Sequence, residues 1–395
     1  MAAFPFAGGA DPFALSLSKR LLLRYGLAGA TGMAGLQAPL ANALPVRTLS
    51  FPRDHGAHPD YRTEWWYITG SAKSGQREFG FQVTFFRSRV EPTQGMQSQF
   101  AAKQLLFAHA AVTDVQGKKL WHDQQIARAG FGIAQASEAD TQVKLRRWSL
   151  TRLPDENLYN ARVLAKEFEM ELVCSSTQPL LLQGKDGLSR KGPDEKQASY
   201  YYSQPQLNVT GFIELQGKRF EINEGKLPGK DAGGTAWLDH EWSQELLHPE
   251  AVGWDWIGMN LFDGSALTAF QLRKKDGTAV WSGGSYRPAA QTQNTNAGTS
   301  FGGKAFSASP FEVQFQALKP WKSPLTAASY PIEWLVRTPA DYYTVKALIP
   351  NQELDSRNST GAVYWEGLSD LFDSNGKHVG RGYLEMTGYA GALRL

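Results

Sequence analysis

Cysteine is almost absent from this 395-residue chain. Cys174 stands alone, so no intrachain disulfide can form and stability must come from burial. An excess of one charge is missing too. The 41 Lys and Arg residues against 38 Asp and Glu leave a formal net charge of +3, and the bases are scattered, which excludes a nucleic-acid footprint. No phosphate loop or dinucleotide fingerprint stands in a plausible setting. His240-Glu241 begins the zinc pattern H-E-x-x-H, but Gln244 occupies the second histidine position and the zinc reading fails. His55 and His58 bracket Gly56-Ala57 and read as solvated loop histidines, so neither a metal nor a cofactor is assigned.

What the chain does have is apolar residues at 42% and charged ones at 20%, enough for a folded core. Its length predicts two domains. Period-2 patterns dominate: Phe79, Phe81, Val83 and Phe85 share one face, and Phe168, Met170 and Leu172 alternate with Glu169 and Glu171. Turn signals separate such runs, at Lys73-Ser74-Gly75, Asp263-Gly264, Asp276-Gly277 and Ser374-Asn375-Gly376. With no strand–helix alternation, the expected fold is all-β and antiparallel.

The N-terminus reads separately. Lys19-Arg20 precedes a Gly/Ala-rich stretch ending near Ala41-Asn42-Ala43, which predicts an export signal over residues 1–43, twin-arginine-like or general secretory, with a membrane anchor as the competing reading. The expected location is therefore periplasmic or secreted. The Gly-rich segment 225–234 predicts a boundary between domains at 44–232 and 233–395. A faint echo between Trp65-Trp66-Tyr67-Ile68-Thr69-Gly70 and Trp254-Asp255-Trp256-Ile257-Gly258 fits a duplicated unit. Residues 289–304 read as a long polar loop, and the G-x-S-x-G match around Ser300 inside it reads as chance, leaving a serine hydrolase as a minor alternative.

Aromatic residues cluster with carboxylates in three places: Glu64-Trp65-Trp66-Tyr67, Trp237-Leu238-Asp239-His240-Glu241-Trp242 with Trp254 and Trp256 after it, and Tyr364-Trp365-Glu366. Such clusters predict an aromatic-walled cavity holding a few ionisable groups. In a strand, Glu64 and Trp66 would share one face and Trp65 and Tyr67 the other, and Arg62 is a candidate partner for Glu64. Asp239, His240 and Glu241 would form an acid/base set if the segment turns, or would split across two faces if it is a strand.

These motifs, with Ser199-Tyr200-Tyr201-Tyr202-Ser203 and the ending Gly382-Tyr383-Leu384-Glu385-Met386-Thr387-Gly388-Tyr389, resemble the carotenoid 1,2-hydratase superfamily, and more closely its secreted, lipocalin-like AttH-type branch. The resemblance implies two lipocalin-like antiparallel β-barrels packed together. It implies either a carrier of a hydrophobic, lipid-like or isoprenoid-like molecule, associated with an ABC-type transporter, or a cofactor-independent hydratase or isomerase that protonates an isoprenoid double bond. The catalytic His-x-Trp pair of the family would fall on His240 and Trp242, with His240, Asp239 or Glu241 handling the proton and Trp242 shielding the cation. Glu64, Trp65, Trp66, Tyr67, Tyr201, Trp254, Trp256, Tyr364, Trp365 and Glu366 would line the ligand site. Phe270-Gln271 stand where the hydratases carry Tyr and Asp, a departure that argues against carotenoid hydration.

Overall fold

Phe79, Phe81, Val83 and Phe85 are all fully buried, and this two-residue period builds the Arg77–Arg89 strand and its hairpin with Thr63–Ser74. Gly75 supplies the left-handed residue of the connecting turn, at φ +57°. The computed structural model describes residues 43–223, 233–245, 247–289, 304–305 and 312–392. The export-signal segment, the 225–232 junction, most of the 289–304 loop and Ser300 lie outside the described residues.

Among the described residues there is no α-helix, and every strand pairing is antiparallel, as alternation without helical periodicity requires. A 14-stranded sheet runs in the order 119–128, 104–114, 77–89, 63–74, 234–245, 198–215, 168–175 and onward through four shorter strands. The second, 10-stranded sheet centres on Ala266–Arg273, Gly253–Leu261, His378–Met386 and Ala362–Phe372. Together they make a nearly closed barrel and a half-barrel, an all-β lipocalin-like architecture. One departure from the expected boundary is clear. Gly234–Glu245 pairs with both Thr63–Ser74 and Ala198–Leu215, so the passage between sheets falls after Glu245 and before Gly253, not at 232/233. Sequence composition marked the glycine-rich loop, but hydrogen-bond pairing decides which sheet a strand joins.

Several apolar clusters result, three of them large. Trp66, Ile68, Phe85, Tyr202, Leu238 and Trp242 belong to the interior of the first sheet. Ile257, Met259, Trp334, Trp365 and Leu384 fill the second. A third cluster, including Tyr67, Trp237, Trp256, Phe270, Leu368 and Tyr383, draws on strands of both sheets. Gly80 lets the two sheets approach closely: a Cβ there would stand 2.7 Å from the Tyr383 hydroxyl and 2.9 Å from Leu368 Cβ.

Candidate functional site

Strand alternation divides the sequence-predicted residues into two groups. Trp65 and Tyr67 of Thr63–Ser74, Asp239 and Glu241 of Gly234–Glu245, Tyr201, Trp254, Trp256, Tyr364 and Glu366 all line one pocket between the sheets. Phe86, Lys191, Phe270, Leu272 and Glu385 also line it. Glu64, Trp66, His240 and Trp242 point the other way, into the first barrel, and Trp365 belongs to the second core, its indole donating to the Pro350 carbonyl at 2.8 Å. The chain does not turn at Asp239-His240; it continues as a strand, so Asp239 and Glu241 are parted from His240.

The pocket is narrow. Its volume of about 110 Å³ is comparable to the engineered cavities that hold a benzene ring, and it opens into a groove of about 500 Å³ that shares Thr63, Phe86, Leu247, Trp254, Tyr364 and Glu385 with it. A branched five-carbon group or a ring fits the inner chamber, and a longer chain must lie in the groove.

Three of its carboxyl groups, those of Asp239, Glu366 and Glu385, are shifted toward the protonated form. Burial lifts the Asp239 pKa to about 7, reinforced by the nearby charge of Glu241 and opposed by hydrogen bonds from the Ser203 hydroxyl at 2.5 Å, the Tyr201 hydroxyl at 2.8 Å and the Trp237 indole at 2.6 Å. Glu366 and Glu385 are cross-strand neighbours. Burial and the neighbouring charge of Glu385 push Glu366 well above the usual carboxyl range, and burial with the charges of Asp239 and Glu241 also raises Glu385. Lys191 gives Glu241 a cation at 2.9 Å, with its ammonium 4.3 Å from the centre of the Phe270 ring.

On the opposite face lies a different device. Glu64 is fully buried; it accepts from Arg87 Nε at 2.7 Å and pairs with His58 Nδ1 at 2.7 Å and His240 Nε2 at 2.9 Å. Its guanidinium partner is therefore Arg87, directly opposite in the strand register, and not Arg62. His58 Nε2 continues to Asp54 at 3.0 Å, and Tyr202 bridges His240 and His55 at 3.2 and 2.7 Å. His55 and His58, read as solvated, are both buried, with His58 stacked on Trp242 at 3.8 Å and His240 on Trp66 at 4.7 Å. Burial lowers the His240 pKa to about 4 despite the Glu64 hydrogen bond, while hydrogen bonds from His240 and His58, helped by the charges of His240 and Arg87, overcome burial and hold the Glu64 carboxyl well below its usual range. Donor atoms of His58, Glu64 and His240 lie within 4.8 Å of one another, as a metal site requires. They are already one another's hydrogen-bond partners, however, and the Arg87 guanidinium on the same carboxylate would repel a divalent cation.

Lys191, Glu385, Arg87 and Asp54 are not among the site residues expected from the sequence. Glu385 carried a signal, its alternation with Leu384 and Met386 next to a glycine-rich ending, whereas Arg87 and Lys191 acquire their roles only through register and loop placement.

An all-β protein of lipocalin-like build, with an acid-bearing aromatic chamber between its two sheets, is the class that this fold and site define. Residues 42–389 match the AttH-like family, and the chain belongs to it. It is similar to the crystal structure of an AttH protein from Nitrosomonas europaea, at 43% identity over 89% of this chain and 100% of that one, with a TM-score of 0.77. Kievitone hydratase from Nectria haematococca has the same fold, at 10% identity over 87% of this chain and 94% of that one, with a TM-score of 0.64. No curated protein matches the chain.

Proposed function

We propose that the protein is an exported lipocalin-like binder of a hydrophobic or amphipathic molecule, serving an envelope task alongside an ABC-type transporter. The observation that carries the binding part is the inter-sheet chamber, where Trp65, Tyr67, Trp254, Trp256 and Phe270 form the wall and the groove beyond it accepts a longer body. The buried carboxyls of Asp239, Glu366 and Glu385, which an anionic end group would meet together, favour an uncharged one. Native mass spectrometry after incubation with envelope lipid extract tests it. A retained apolar ligand, lost in Phe270→Arg, is expected; no retained ligand sinks the reading.

One observation favours a second reading, a cofactor-independent hydratase or isomerase acting on an isoprenoid-like alkene: a carboxylic acid half-protonated near pH 7 faces aromatic rings. The alkene π pair would take the Asp239 proton at the less substituted carbon. The resulting tertiary cation would be stabilised by the Tyr and Trp faces, and water entering from the groove would add to it and return its second proton to the carboxylate. In this scheme His240 is no acid, because it is neutral at pH 7 and bonded to Glu64 behind the strand. The kievitone hydratase likeness in fold is consistent with such chemistry. Deuterium uptake from heavy water into a prenyl alkene, abolished by Asp239→Asn, would support the reading; a prenyl panel without turnover removes it.

A further inference from the structure

We infer that one end of the first sheet is a docking face for an anionic lipid surface, placed beside the mouth of the ligand groove. The Phe100 side chain is 69% exposed and Phe131 53%, and their rings stack with centroids 5.7 Å apart in open solvent. Exposed apolar rings cost free energy in water unless something covers them. Phe131 is also held outward by its backbone. Gly130, Phe131 and Gly132 are all left-handed, at φ +105°, +58° and +70°, a conformation that an aromatic residue adopts only under constraint. Met96, Ile126 and Ile133 are exposed alongside, Met96 in the loop that carries Phe100 and Ile133 in the one that carries Phe131.

Bases gather around these rings. Arg128 lies 4.2 Å from the Phe131 ring centre, 5.7 Å from that of Phe100, and donates to the Phe100 carbonyl. Arg146 bonds through its backbone to Ile133, and Lys103, Lys144 and Arg147 are exposed on the same three segments. Residues 95–107, 126–136 and 142–148 contain no Asp or Glu. Aromatic and aliphatic tips ringed by bases are the chemistry of a peripheral protein that inserts rings at the headgroup level and holds acidic headgroups with its cations. A protein partner would more often be met by a flat patch of mixed polarity.

Placement adds a reason for the face. Ile126 is the cross-strand partner of Phe107, and Phe107 lines the outer groove with Ser88 and Arg62. An apolar molecule leaving a bilayer at this end therefore reaches the groove without crossing the body of the protein.

Co-sedimentation of the full chain with vesicles of phosphatidylcholine and phosphatidylglycerol, against phosphatidylcholine alone, tests the inference. Binding to the mixed vesicles that weakens with salt is expected, falling about tenfold or more in Phe100→Ser/Phe131→Ser. Arg146→Glu/Arg147→Glu leaves the rings in place and should lose the salt-dependent part. Leu325→Ser, an exposed apolar residue outside these segments, should bind as the parent does. Ligand titration of the inner chamber should be unchanged in all three, which separates this face from the pocket reading. Equal binding by the ring variant, absence of binding to mixed vesicles, or a dimer in sedimentation equilibrium that the ring variant dissolves would each overturn the inference.

Discussion

Glu64 and Asp239 are both buried carboxyls, yet their surroundings drive them in opposite directions. Glu64 has Arg87 and two histidines and stays ionised; Asp239 has only neutral donors, with Glu241 nearby, and is half-protonated near pH 7. Two outcomes follow. Arg87→Ala leaves the Glu64 charge without its cation in a sealed interior and should cost about 3–5 kcal/mol, read by denaturant unfolding. Asp239→Asn should do the reverse. The native group binds a proton between about 3.8 and about 7 that the unfolded chain has released, so it subtracts stability as pH rises through that window. The variant should match the parent near pH 4 and exceed it above pH 7, by on the order of 2 kcal/mol, while losing any alkene protonation. Melting curves at the two pH values check the sign. At this scale the sequence spoke clearly about type: a carboxylate among indoles had to be paired or used. It was silent on partner, because Arg62 and Arg87 are equally basic in one dimension and only register brings Arg87 opposite Glu64.

Strands explain why nine of the chosen residues meet and five do not. Trp65 and Tyr67 reach the pocket while Glu64 and Trp66 leave it, because successive side chains alternate sides. The alternation was legible; which face would look between the sheets was not, since both faces of Thr63–Ser74 are buried. The same geometry separates His240 and Trp242 from Asp239 and Glu241, although the family resemblance groups them. One glycine tunes the pocket. A Cβ at Gly258 would stand 2.3 Å from the Trp256 ring and 3.2 Å from Trp237, so the bare Cα leaves room for the indole that walls the chamber. Gly258→Ala should push Trp256 into the pocket and weaken binding of a prenyl group by about tenfold, a methyl-sized effect measurable by titration.

For the molecule as a whole, the fold class could be read from period-2 patterning and turn glycines, and the family from motif order. The sheet boundary could not, because the Gly-rich junction precedes a strand that returns to the first sheet. Nor could the unequal closure of the two sheets, which depends on how far each curls. Their close approach rests on Gly80, and Gly80→Val should cost about 1–3 kcal/mol by forcing Leu368 and Tyr383 apart from it. The account stands on an apolar molecule entering the chamber between the sheets. Tryptophan fluorescence during titration with farnesol, in the parent and in Phe270→Arg, tests this most directly, since Trp65, Trp254 and Trp256 report from its wall. Saturable quenching in the parent, lost in a variant that melts at the same temperature, is the predicted result; quenching that never saturates, or that is the same in both proteins, would contradict it.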